Sequence, residues 1–326
     1  MSHHQDPIHS PVEPTASKES RLAKPSSPAR QALLKGLPVI ERRIRLGGVS
    51  TAVLEGGEGP PVVLLHGPGG NAAHWMRVIP ALTARHRVVV PDLPGHGASH
   101  VESGEMDVET MLAWLSELIE KTRVSRPALV GHLLGGAMAA RFAIAHGRRL
   151  CRLVLIDALG LSEFRPAPEF AGAYGAFVTA PTEQTHQNLW QYCAHDLLSL
   201  RRQMGALWES FEAYNLEKAR SASQQAAMSQ LMQAFALNAI SPTDLARIKV
   251  PTTLIWGRHD LATPLDVALT ASARYGWPLH IIEKANDDPP VEQPDAVVKT
   301  LLSALDEAKA PADHESDAGT EKETLR

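Results

Sequence analysis

The side chains best suited to chemistry in this 326-residue chain are carboxyls towards its C-terminal end. Asp260 follows one apolar run, and Asp287 and Asp288 follow the next. A carboxyl enclosed by apolar groups keeps its proton to higher pH, which suits proton transfer, so Asp287 is a candidate general acid or base. The structural alternative is that Asp260 and Asp287 cap loops or pair with Arg258 or Lys284. No metal centre is expected, because no histidine or cysteine joins these aspartates at ligand spacing. Cys193 and His195 stand close together in LWQYCAHDLL, but residues two apart on a helix do not face one another. Cys193 therefore reads as a buried structural thiol. His186 and His195 can still point into a cleft, the alternative being solvated or core-bonded imidazoles.

These groups need a scaffold, and the chain between its two ends alternates apolar strands with amphipathic helices, the pattern of a parallel sheet covered on both faces. Strands are expected at 61–65 (PVVLL), 87–90 (RVVV), 127–130 (PALV), 153–156 (LVLI), 252–256 (TTLIW) and 279–282 (LHII). Short, continuously apolar runs of this kind mark buried central strands. Residues 40–46 and 50–54, on either side of Gly47-Gly48, predict an antiparallel hairpin at the sheet edge. Helices are expected near 72–84, 107–122, 134–146, 265–275 and 292–308. Residues 161–243 break the rhythm: they are helical in pattern and hold most of the aromatics, so they predict a helical cap inserted between two strands. Some of those aromatics are expected to line a pocket at the cap boundary. Residues 1–30 and 309–326 have little apolar content and predict disordered tails.

Four motifs join this pattern: LLHGPGG (64–70), VVVPDLPGHGAS (88–99), LVGHLLGG (129–136), and LIWGRHDLATP (254–264) with EKANDDPPVEQP (283–294). In this order, with the cap between the third and fourth, the chain from about residue 40 to 305 resembles the capped α/β-hydrolases of the esterase and carbon–carbon bond hydrolase type. The resemblance implies an α/β-hydrolase fold: a mostly parallel eight-stranded sheet, helices on both faces, a core from 31–160 and 244–308, and the cap at 161–243. It also implies a nucleophile elbow of pattern G-x-S-x-G. Here the pentapeptide is Gly131-His132-Leu133-Leu134-Gly135, and leucine has no heteroatom with which to attack a carbonyl. Its seat normally demands a strained positive φ, which a bulky residue tolerates poorly, while Gly131, Gly135 and Gly136 keep the turn open.

The family's acid matches Asp260, in Gly257-Arg258-His259-Asp260, and the seat of its histidine aligns with Asp287. Two nearby carboxyls resist double ionisation, so one pKa should be raised. The oxyanion hole would draw N–H groups from Leu134 and from residue 68, but Pro68 has no N–H to give. His66, His96 and His132 belong to motifs kept for loop architecture, with His132 expected to point away from the cleft and His259 to be exposed. His66, Gly67, Pro68, Leu133, Leu134 and the cap's Trp190 are the ligand-binding candidates, and Asp260 and Asp287 the catalytic ones. Loss of a triad member typically costs about 10⁴-fold or more, so ordinary serine hydrolysis is not expected.

The remaining composition narrows the class. The chain carries 36 Asp and Glu against 32 Lys and Arg, a net charge of -4. Residues 306–326 hold seven acids and three bases and account for that -4, leaving the folded part near neutral. Neither a nucleic-acid nor a membrane-surface partner is implied. Two cysteines, Cys151 and Cys193, give no disulfide framework, and no signal peptide or membrane span stands out, so a cytoplasmic protein is expected. No cofactor is implied. A small, largely apolar molecule in the cap–core cleft is the expected partner, and a homo-oligomer is compatible with the sequence. Two functions suit these residues: a non-hydrolytic small-molecule-binding protein, or an enzyme of atypical chemistry using Asp287 and Asp260 (a lyase, an isomerase, a cofactor-free oxygenase or a noncanonical hydrolase).

Overall fold

A computed structural model describes residues 27–306. The strands are β1 (Ile40–Leu46), β2 (Val49–Gly56), β3 (Pro61–Leu65), β4 (Arg87–Pro91), β5 (His100–Val101), β6 (Ala128–His132), β7 (Arg152–Ile156), β8 (Thr252–Gly257) and β9 (Leu279–Ile282). The helices are α1 (Pro28–Leu34), α2 (Ile79–Thr83), α3 (Val108–Lys121), α4 (Leu134–His146), α5 (Pro168–Thr179), α6 (Glu183–Cys193), α7 (Leu197–Met204), α8 (Ala206–Ala219), α9 (Ala222–Leu231), α10 (Pro242–Leu245), α11 (Leu265–Tyr275), α12 (Pro289–Glu292) and α13 (Pro294–Asp306).

Among the described residues nine strands form one sheet, in the order β1-β2-β4-β3-β6-β7-β8-β9 with one off this path, where eight were expected. The ninth is β5, whose two residues pair with Val49 and Ser50 of β2 and are too few to leave a periodic signal. The β1–β2 hairpin forms as expected, with Leu46 opposite Val49 across Gly47-Gly48. Gly47 has φ +54, and a Cβ on Gly48 would lie 2.0 Å from the Ser103 carbonyl oxygen, so both turn positions require glycine. From β3 to β9 the neighbours are parallel. All residues of β6, β7 and β8 are buried, the result of helices covering both faces.

The cap leaves the core after β7 and returns at β8, and α5 to α9 build it. Its own core is aromatic: Trp208, Phe211, Tyr214 and Phe235 are buried, with Trp190 set edge-on to Trp208 at 5.4 Å. At the N-terminal end, the tail expected over 1–30 gives way earlier than its composition suggests, because α1 begins at Pro28 and Arg30 is buried at 1% exposure. Two carboxylates and a phenol take up that guanidinium, a compensation that composition cannot register. The rest of that tail, and the one expected from 309, lie outside the described residues. Among the described residues no helix is long and apolar enough to cross a membrane.

Candidate functional site

The strand order reverses direction between β3 and β6, and in open α/β sheets the crevice at such a switch point, beyond the carboxyl ends of the strands, is where ligands bind. That edge gathers His66 after β3, Leu133 after β6, Asp157 after β7, Asp260 after β8 and Asp287 after β9. Above it the cap closes a cavity of about 140 Å³, lined on the core side by Gly67, Pro68, His132, Leu133, Asp287 and Asp288.

Leu133 occupies a true elbow, with φ 46 and ψ -110 immediately before α4. The turn is held by hydrogen bonds from Leu133 N to the Ile156 carbonyl and from Gly135 N to the His66 carbonyl. Its glycines have no room for side chains: a Cβ on Gly135 would lie 2.4 Å from the Leu65 oxygen, and one on Gly131 2.3 Å from the Gly135 oxygen. The strained geometry therefore persists with leucine at the apex. The Leu133 side chain packs towards the loop after β3, since a Cβ on Gly67 would lie 3.3 Å from Leu133 Cδ1. It thus fills space beside the seat of the N–H that Pro68 lacks.

Opposite it sits a cluster of five buried carboxyls: Asp157, Asp260, Asp287, Asp288 and Glu292. Asp260 accepts hydrogen bonds from Ala262 N at 2.7 Å, Thr263 N at 2.9 Å and Thr263 Oγ1 at 2.5 Å. It caps its own loop, as the structural alternative held. Arg258 instead pairs with Glu283 on the surface, and Lys284 is exposed, so neither neutralises the cluster. Asp157 accepts from Gly257 N at 2.8 Å with one oxygen, while its other oxygen has no hydrogen-bond partner. Glu292 fastens cap to core, accepting from Asn286 N at 2.7 Å and from His195 N at 2.6 Å. Asn286 in turn donates to the Tyr192 carbonyl, which draws the end of α6 over Asp287.

Burial dominates the protonation of this group. It pushes Asp287 well above the usual carboxylate range, helped by the charges of Asp260, Asp288 and Glu292. It raises Asp157 and Asp288 similarly, Asp260 to about 6 against its hydrogen bonds, and Glu292 to about 8. Asp287 Oδ1 and Asp288 Oδ1 have no hydrogen-bond partner, and both residues line the cavity. Among the described residues no group of three or more His, Cys, Asp or Glu could hold a metal ion.

The other candidates divide. Gly67, Pro68, Leu133 and Trp190 line the cavity. His66 and Leu134 do not; they are fully buried behind its wall. His66 works as a loop clasp, its Nδ1 on the Gly67 carbonyl at 2.8 Å and its Nε2 accepting from Leu93 N at 2.9 Å. His132, expected to point away, instead lines the cavity with Nε2 on the Asp287 carbonyl at 2.7 Å, and burial lowers it to about 4. The backbone carbonyl of the loop after β9 lies within its reach, a proximity that the motif alone does not show. His186 lines the cavity too, held between Glu212 and Asn215, whereas His195 is exposed and stacks on exposed His259 at 4.7 Å. Cys193 is buried as expected, but it lines the cavity beside the Asp287 carboxyl, and burial with that carboxyl keeps it a thiol. Of the cap aromatics, Phe164, Phe170, Tyr174 and Phe177 join Trp190 in the wall.

Two features escaped the sequence. Asp157 stands in LVLID at a strand end, and only its φ of 46, which aspartate tolerates better than most residues, sets it apart. Glu292 falls in the matched motif, but its reach to the cap needs three-dimensional proximity.

A strand–elbow–helix at a sheet switch point, covered by an inserted cap, defines an α/β-hydrolase scaffold. The chain belongs to the α/β-hydrolase fold family, whose model matches residues 60–285. It is 30% identical over 235 residues to 2-hydroxy-6-oxo-2,4-heptadienoate hydrolase of Pseudomonas putida, covering 71% of this chain and 83% of the relative. It is 28% identical over 270 residues to the pimeloyl-[acyl-carrier protein] methyl ester esterase of Aeromonas hydrophila, covering 78% and 98%. Among solved structures it is similar to 2-hydroxy-6-oxo-6-phenylhexa-2,4-dienoate hydrolase from Rhodococcus, with a TM-score of 0.71 and 26% identity over 82% of this chain and 98% of that one.

Proposed function

We propose that this member of the α/β-hydrolase fold family binds a small, largely apolar molecule between cap and core and does not hydrolyse it by serine chemistry. The observation that carries the reading is Leu133 at φ 46 on the elbow: the strained turn that presents a nucleophile presents an alkyl side chain to the cavity. The seat of a base holds Asp287, whose burial, with Asp260 and Asp288 beside it, favours its protonated form, and Pro68 removes an N–H from the anion-stabilising loop. The aromatic wall supplies apolar surface and supports a ligand of that character.

The relatives act on a dienoate or on a methyl ester, as their names state, and those activities belong to them. For this chain the test is binding without product: p-nitrophenyl butyrate should saturate the cavity in a calorimetric titration and be recovered intact. Steady product release that Asp287→Asn abolishes in a folded protein would support the alternative, a proton-transfer enzyme using the free Asp287 carboxyl, and would end the non-catalytic reading.

A further inference from the structure

The floor of the cavity is acidic beyond what loop capping uses. Asp287 and Asp288 are 5% and 8% exposed and adjacent in the chain; both line the cavity, and each keeps a buried Oδ1 without a hydrogen-bond partner. Asp157, Asp260 and Glu292 lie behind them, all buried. Among the described residues no ion pair reaches these five carboxyls: Arg258 is taken by Glu283, and Arg77 by the Val291 carbonyl and Gln203. An unpaired buried carboxyl is costly, and it is relieved by a proton or by a bound cation. The cavity wall facing this floor is built from Phe170, Tyr174, Phe177 and Trp190, rings whose faces attract cations. Lys218, the lysine among the lining residues, is engaged by Glu217 at 2.9 Å and lies 4.9 Å from the Tyr214 ring centre, so an anionic ligand gains no free countercharge there.

We propose that the cavity takes a hydrophobic organic amine, its ammonium group seated on the carboxyls of Asp287 and Asp288 and its apolar body against the aromatic wall. The proposal rests on the small-molecule-binding reading and adds the chemical class of the ligand. An ammonium brings three donors and no acceptor, which complements two adjacent free acceptor oxygens. A carbonyl or ether would satisfy one protonated carboxyl and leave its neighbour unpaired, and a carboxylate would meet five acids.

The experiment is a titration of the full chain with three probes of one skeleton: 4-phenylbutylamine, 4-phenylbutan-1-ol and 4-phenylbutanoate. The amine is expected to bind about tenfold or more tightly than the alcohol, the ratio of one charge-assisted contact. In Asp287→Asn/Asp288→Asn, a near-isosteric pair, the preference for the amine over the alcohol should fall towards unity. Retained alcohol binding shows at once that the variant is folded. Saturable binding with the alcohol or the butanoate preferred overturns the amine proposal and leaves the small-molecule reading standing. A preference for the amine that survives in the double variant removes it from these carboxyls. Saturation by none of the three overturns both readings.

Discussion

Leu133 holds a backbone conformation that costs a non-glycine residue about 1–3 kcal/mol, and it does so without the hydroxyl that gives such strain a use in an elbow. The turn is over-determined by its glycines and its two backbone hydrogen bonds, so the side chain inherits the geometry. The same scale explains the acids. Asp260 and Glu292 are pushed up to about 6 and about 8, mainly by burial. Carboxyls that hold their protons in the folded chain lose them near about pH 4 when it unfolds. Their contribution to stability is whole below that value and is lost as pH rises through the folded values. The melting temperature of the natural chain should therefore fall by several degrees from about pH 5 to about pH 8. Asp287→Asn removes one such group, so its melting temperature relative to the natural chain should be higher at about pH 8 than at about pH 5. A pH-independent difference would show that Asp287 ionises freely in the folded protein.

Elements were legible where one physical rule governed them. Continuous apolar runs gave the parallel strands, and α4 and α11 fall at 134–146 and 265–275 as their patterns predict. The expected helix at 72–84 is instead a 3-10 turn at Ala72–Trp75 followed by α2, because Pro80 starts a second helix inside the same apolar pattern. At the site, Leu133, Asp260 and Asp287 were readable by position in motifs. Asp157, the cavity-facing His132 and the contact of Cys193 with Asp287 were not, since each depends on which neighbouring loop a side chain meets. The elbow supplies the prediction at this scale. Gly135→Ala would drive a Cβ to 2.4 Å from the Leu65 oxygen, a backbone atom with nowhere to move. It should cost about 3 kcal/mol in denaturant unfolding, whereas a change under about 0.5 kcal/mol would mean that the turn relaxes freely.

Across the whole molecule, Arg30 ties α1 to both layers. Its guanidinium meets Asp92 at 2.9 Å and Glu41 at 3.0 Å in the core, and the Tyr214 hydroxyl at 3.2 Å in α8 of the cap. Asp92 also accepts from Ala72 N and Ala98 N, so the same carboxylate sets the loops beside the elbow. Arg30→Ala leaves Asp92 buried and short of a partner, and a loss of about 3–5 kcal/mol is expected in equilibrium unfolding, with cap and core loosening together. A loss below about 1 kcal/mol would show that water replaces the guanidinium and that α1 is not a strap.

The proposed loss of serine hydrolysis is measured directly by turnover of short-chain p-nitrophenyl esters by the purified natural chain beside Leu133→Ser/Asp287→His. The double substitution puts a hydroxyl on the elbow and an imidazole within the loop that faces Asp260. The natural chain should release no p-nitrophenolate above the uncatalysed rate, and any ester hydrolysis should appear only in the substituted protein. Ester turnover by the natural chain at ordinary enzymatic rates, on the order of 1 s⁻¹ or faster, would contradict the account and place a working nucleophile elsewhere in the cavity.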